Sequence, residues 1–168
     1  FKTAHGRTVR DGGGITPDVI IEGHDYSRLT YSLVYSGIIQ EYALNYVREH
    51  ADADEDFHLA DKDWDGFVAF AKTKEFDYRS SAKTYFDRMK KELEKDGLSK
   101  NMSAELDALQ KALEMDKETF LKLKKDEIVP FIEEEIAVRY HFQEAGIKIR
   151  LRYDDQLKKA LASPMIEI

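Results

Sequence analysis

Three aspartates set two residues apart, Asp61, Asp63 and Asp65 in "DKDWDGFV", carry the pattern closest to chemistry in this chain. They reproduce the first half of a calcium loop, with Gly66 at the turn position and Val68 two residues later. Such a loop closes with a bidentate glutamate at its twelfth position, and that position is Lys72. A lysine removes two ligand oxygens and adds a positive charge, so no metal is assigned. The carboxylates read instead as an acidic helix start, which the helix dipole favours.

The histidines, His5, His24, His50, His58 and His141, form no close ligand pair of the H-E-x-x-H kind. His50 with Asp52, Asp54 and Asp56 reads as a solvated acidic loop, and His141 beside Tyr140 as packing or surface. Serine activation by lysine needs a desolvated lysine within hydrogen-bond reach. The lysines here stand in solvated runs such as "KLKKDE". Glu135 and Arg139 have the spacing of an ordinary ion pair on a helix surface, with Glu133 and Glu134 beside them. Cysteine is absent, which excludes disulfides, thiolate zinc sites and cysteine catalysis. No catalytic, cofactor-binding or metal-ligating residue is assigned, and no cofactor is expected.

The elements that could position such groups are mostly helical. Charged residues are 35% and hydrophobic residues 42%, a balance that supports a globular core over 168 residues. The net charge of -7 argues against nucleic acid as a partner. No apolar run reaches bilayer-spanning length.

The front differs from the rest. "FKTA" and "RTVR" flank His5-Gly6 and read as a tight β hairpin. Asp11-Gly12-Gly13-Gly14 supplies backbone freedom at a corner, and Val19 to Ile21 read as a short buried strand. The glycines match neither phosphate-binding pattern, since Ile-Thr-Pro follows them. Phe1 is no initiator and nothing at the front resembles a signal peptide, so the expectation is a fragment or cleavage product whose upstream part is missing.

"FKTAHGRTVRDGGGITPDV" resembles the closing segment of the protease domain in the carboxyl-terminal processing, or tail-specific, serine peptidases. The residues that carry the resemblance are Phe1, Thr3, Gly6, Arg7, Val9, Gly14, Ile15, Pro17 and Asp18. The rest of the chain is similar in pattern to the helical C-terminal extension of Bacteroidetes-type members, as in "DWDGFVAFAKTKEFDY" and "EEEIAVRYHFQEAGIKIRLRYDDQLKKAL". The resemblance implies a serine nucleophile, a lysine base and a peptide-reading PDZ module, all upstream of Phe1. It also implies a place in the bacterial cell envelope, in the periplasm.

Behind the front, Ser27 is the expected cap of a helix running to about Glu49. Its apolar face is Leu29, Leu33, Val34, Ile38, Ile39, Tyr42, Tyr46 and Val47, with a close neighbour expected at Gly37. A short helix follows from about Asp65 to Lys74. Ser80 or Ser81 caps the next, with Tyr85, Phe86, Met89 and Leu93 as its stripe and Gly97 at its end. Ser103 caps another, with Leu106, Leu109 and Leu113 inward. Asp126 caps the last long helix, which carries Ile128, Ile132, Ile136, Tyr140 and Gln143, with Pro130 in its first turn or so. "DDQLKKALA" closes the chain with Leu157 and Leu161.

The expectation is therefore a mainly α protein of about five helices, with a terminal β segment of a peptidase core at 1–23 and an α-helical C-terminal domain at 24–168. Its function would be that of a scaffold or oligomerisation domain, inactive alone. The alternative is a non-enzymatic helical interaction module with a β arm. Expected partners are the rest of the peptidase domain, the parent's protein or peptide substrates, and a second copy in a homo-oligomer paired through residues 1 to 21, the alternative for that segment being to fold back with Ile20 or Ile21 against the Ser27–Glu49 helix.

Overall fold

The computed structural model describes residues 2, 4, 6, 20–23 and 25–162. Among these the chain forms eight α-helices and no extended strand. The expected front hairpin lies almost wholly outside the described residues. Ile20 and Ile21, expected in a buried strand, are irregular, and Ile20 is exposed.

Helix α1 spans Arg28–Tyr35 and α2 spans Ile38–Glu49. Ser27 caps α1 as expected, its Oγ accepting from the Thr30 N–H. The single helix expected from Ser27 to Glu49 is interrupted at Ser36–Gly37. Gly37 has φ 76°, a left-handed backbone that closes α1 and lets α2 start in a new direction. A Cβ there would meet no atom within 4 Å, so Gly37 serves the turn and not the expected close neighbour.

Helix α3 spans Asp61–Lys72, four residues ahead of its expected start. Helix α4, Ser81–Lys95, begins after the Ser80 cap. It ends in a Schellman turn: Gly97 has φ 73°, and the Leu98 N–H reaches back to the Leu93 carbonyl at 2.9 Å. A 3-10 turn leads into α5, Ser103–Leu113, so Ser103 lies inside the helix it was expected to cap. Helix α6, Lys117–Leu123, was not foreseen; Asp116 caps it by accepting from the Thr119 N–H at 3.0 Å. Helix α7 spans Lys125–Arg152 and starts from Lys124, leaving Asp126 in the first turn instead of at the cap. Helix α8 is Asp155–Ala162.

The core is built around the first arm of α7. Ile128, Ile132 and Ile136, one helical turn apart, are fully buried. Against them pack Leu29 and Leu33 of α1, Ile39 and Tyr42 of α2, Trp64 and Phe67 of α3, and Phe120 and Leu121 of α6. Burial of each such side chain contributes roughly 1.5–3 kcal/mol. The stripe expected on α4 is buried only at Phe86, and the one on α5 only at Leu106; Tyr85, Met89 and Leu109 are exposed. Leu161 on α8 is exposed too.

The expected long helix is broken. His141 and Phe142 leave helical geometry, and Phe142 has φ 62°. This is a strained conformation for a residue with a Cβ, with a cost of about 1–3 kcal/mol. Beyond the break, residues 143–152 fold back on 125–140. Ala137, Ala145 and Ile149 form a second small cluster between the two arms. Gly146 makes the close approach possible, because a Cβ there would clash with Val138 Cγ2. A valine methyl beside a helix has little freedom to move away. Gly146→Ala is therefore expected to cost about 1–3 kcal/mol in urea denaturation, the range for an overpacked contact. Adding Val138→Ala should return much of that loss. Equal stability of Gly146→Ala and the parent chain would show that the arms do not meet there.

Candidate functional site

The densest polar cluster lies where the two arms of α7 meet the acidic loop. Glu133 is 2% exposed, a position at which an unsatisfied carboxylate is prohibitive. It accepts from the Leu59 N–H at 2.8 Å, the Arg152 guanidinium at 3.0 Å and the Tyr153 hydroxyl at 2.7 Å. Arg152 also donates to the Phe57 carbonyl at 2.8 Å and pairs with Asp56. His58 stands 3.9 Å from Glu133. Burial raises the Tyr153 pKa, and donation to Glu133 adds to it, so the phenol sits at about 12 and stays a donor. The cluster ties the loop to both arms of α7 with every strong group partnered.

A second carboxylate clamps the point where the chain enters α1. Glu127 accepts from the Ser27 N–H and the Thr30 hydroxyl, each at 2.9 Å, and from Lys124 at 2.6 Å. Burial alone would raise its pKa. The Lys124 ammonium and the donors at Ser27 and Thr30 outweigh that and lower it to about 2. Beside it, the Tyr26 ring meets Phe131 edge-on at 5.1 Å.

Next to this junction opens a cleft of about 370 Å³, lined among others by Tyr26, Pro130, Phe131, Glu134, Arg150 and Lys158. Burial raises the Glu134 pKa, Arg150 at 3.0 Å opposes that, and Glu135 adds to it. The described lining contains no serine, threonine or histidine, so it offers Lys158 no serine partner.

The residues singled out in the sequence are dispersed. Asp61, Asp63 and Asp65 lie in the first turns of α3, and a continuous helix cannot wrap them around one ion. Asp61 pairs with Lys125 at 2.6 Å, and the Asp63 carbonyl accepts from the Tyr42 hydroxyl at 2.6 Å. Among the described residues no group of three His, Asp or Glu side chains could hold a metal. His50 stacks on Tyr46 and bonds its carbonyl, and His141 bonds the Ala53 carbonyl. Ser27 and Ser80 are helix caps, Ser32 accepts from the Asp77 N–H, and Ser36 donates to the Leu33 carbonyl. Glu135 does pair with Arg139, and the pair also reaches α2: Gln40 donates to Glu135 at 3.2 Å, and Arg139 to the Gln40 carbonyl at 3.3 Å. The sequence reading missed Glu127 and Glu133. The signal for Glu133 was its place between Ile132 and Ile136 and one turn before Ala137, on the apolar side of α7.

A family model described as probable PDZ-protease, C-terminal helical domain, matches residues 29–163. The chain belongs to that family. No curated protein and no solved structure matches it. The match begins one residue into α1, just past the Ser27–Glu127 clamp.

Two outcomes are expected in this helical domain. The Glu127 carboxyl titrates lower folded, at about 2, than its ordinary value of 4.5. Its contribution is therefore fully present above pH 4.5 and is lost as the pH falls toward 2. Glu127→Gln should flatten the acid limb of stability against pH in that window, by on the order of 2–3 kcal/mol, as followed by circular dichroism. An unchanged acid limb counts against the clamp. Arg152→Ala leaves Glu133 buried with neutral donors only and should cost about 3 kcal/mol in urea, the lower end for a broken buried pair. Lys148→Ala, which breaks the exposed pair with Glu55, should leave stability unchanged.

Proposed function

We propose that this helical domain is the C-terminal part of a carboxyl-terminal processing serine peptidase of the bacterial periplasm. The parent cuts protein or peptide substrates near their C-termini with a serine nucleophile and a lysine base that precede Phe1. In this reading residues 1–23 complete the peptidase core, and residues 24–168 hold that core and assemble it with further copies.

The observation that carries the reading is the conjunction of two stretches. A probable PDZ-protease C-terminal helical domain covers residues 29–163, and directly before it stands "FKTAHGRTVRDGGGITPDV", similar to the end of a tail-specific protease domain. The junction supports a holding role. The backbone N–H of Ser27 is bonded to Glu127, and Tyr26 rests on Phe131, so a unit joined at this end is tied to α7, the helix with the most buried residues. Ser27 and Ser80 cap helices, Ser36 bonds within its turn, and Ser32 accepts from the Asp77 N–H. Activity is accordingly assigned to the parent and not to this chain.

The test compares the chain with its full-length parent on casein and on a peptide with a free, apolar C-terminus. The parent is expected to cleave both and to lose cleavage when its nucleophilic serine is replaced by alanine. The chain alone is expected to cleave neither. Serine-dependent turnover by the chain alone would refute the assignment. A parent that cleaves nothing would leave the non-enzymatic interaction module as the better reading.

A further inference from the structure

Helix α4 begins beside α1, and a small cleft opens between them. Its lining is Arg28 from α1 with Ser81, Thr84, Tyr85 and Arg88 from α4. The four α4 residues stand at i, i+3, i+4 and i+7, so they share one face of that helix. The cleft holds about 160 Å³, well under the roughly 300 Å³ of a pocket for a drug-sized ligand. It has room for one small group.

Every side chain of the lining can donate a hydrogen bond. Two are guanidiniums, three are hydroxyls, and no carboxylate lines the cleft. Arg28 is held in place: it donates to Asp77 at 3.0 Å, and its Nη1 stands 3.5 Å from Thr84 Oγ1. The Thr84 hydroxyl in turn donates to the Ser80 carbonyl at 3.3 Å. The other donors are uncommitted. The Arg88 guanidinium and the hydroxyls of Ser81 and Tyr85 have no hydrogen bond or ion pair with any described residue.

The surrounding charges do not cancel these donors. Asp77 is shared by Arg28 and Arg79, so one carboxylate serves two guanidiniums. Asp87 is taken up by Lys83 at 2.8 Å, and Glu92, one turn beyond Arg88, by Lys95 at 2.7 Å. Arg88 is left over. The cleft is thus locally positive on a chain whose net charge is -7.

The geometry points to this cleft as a binding site for a phosphoryl anion. A carboxylate offers two oxygens in one plane, and a single arginine fork satisfies them. Here donors converge from two helices, which suits the three outer oxygens of a tetrahedral group. The start of α4, a helix of 15 residues, adds its positive dipole end on the same side, at Ser81. A soluble phosphate ester and the headgroup of an anionic lipid carry the same group. This inference goes beyond the peptidase reading and does not rest on it, because the chain alone is tested.

NMR titration of the full chain tests it, with circular dichroism as the folding control. Inorganic phosphate at constant ionic strength is expected to shift the amide signals of Arg28 and of Ser81 to Arg88 saturably, and acetate is not. Arg88→Gln should weaken phosphate binding about tenfold, with the helical signal unchanged. Lys62→Gln, the same loss of charge on α3, should leave binding as it is. Glycerol phosphate and phosphatidylglycerol vesicles then separate the sources. Vesicle binding that is lost in Arg88→Gln and exceeds that of glycerol phosphate assigns a lipid headgroup, and binding of glycerol phosphate alone assigns a soluble ester. No shift with phosphate overturns the inference. So do acetate binding equal to that of phosphate, shifts scattered over the chain, and a phosphate affinity unchanged by Arg88→Gln.

Discussion

A buried carboxylate that must find three donors governs the shape of this domain. Glu133 cannot sit at 2% exposure as a bare anion, because desolvating an unpaired carboxylate costs several kcal/mol. One of its donors comes from the loop before α3 and two from the far end of α7. Neither source is near it in sequence. Satisfying Glu133 therefore requires α7 to double back and the acidic loop to close over the turn. The break at His141–Phe142, with Phe142 at φ 62°, and the bare backbone at Gly146 are the local consequences. The strain at Phe142 persists because contacts on both sides of it hold the chain in that path.

Stability is unevenly distributed around that centre. Helices α1, α2, α3, α6 and the first arm of α7 share one continuous cluster of buried side chains. The α4–α5 hairpin contributes one buried residue from each helix and joins the body near Phe120 and Met115, across a cleft of about 360 Å³. A unit with so few buried contacts opens at lower free energy than the core. Its Ser80 cap and its Schellman turn at Gly97 hold each helix locally, which is why the hairpin can form without deep burial.

Periodicity made the core legible. Leu29, Leu33, Ile38, Ile39 and Tyr42, and again Ile128, Ile132 and Ile136, stand at helical spacing because one face of each helix is buried, and all are in the core. The caps at Ser27 and Ser80 and the stop at Gly97 were legible because each follows from a backbone rule that acts within a few residues. The breaks were not. Gly37 is tolerated inside a helix at about 1 kcal/mol, so its presence did not announce a left-handed turn. Phe142 at positive φ contradicts its intrinsic preference, and only tertiary contacts select it. Periodicity also misplaced Tyr85, Met89 and Leu109, because a stripe reports an apolar face and not what covers it. Glu133 was hidden for a related reason. In the run Glu133-Glu134-Glu135 the three side chains point in different directions around α7, and only one reaches the interior.

The two glutamate clamps, one buried and one half-buried, explain why an acidic chain can still be sharply specified. Glu127 and Glu133 are six residues apart on α7, so they leave the helix about 120° from one another. Each collects donors from a different part of the chain: Glu127 from the entry to α1, Glu133 from the loop before α3 and the returning arm. Apolar contacts between α7 and its neighbours are tolerant of a small rotation or slide, since one methyl replaces another. A carboxylate with two or three fixed donors is not, because a slip of one residue leaves a buried charge and several N–H or O–H groups without partners. Hydrophobic burial thus drives the helices together, while the two glutamates fix the rotation and height at which they stop. In this way residues 26 and 27, where the preceding segment joins, are held at a definite place on the outside of the domain.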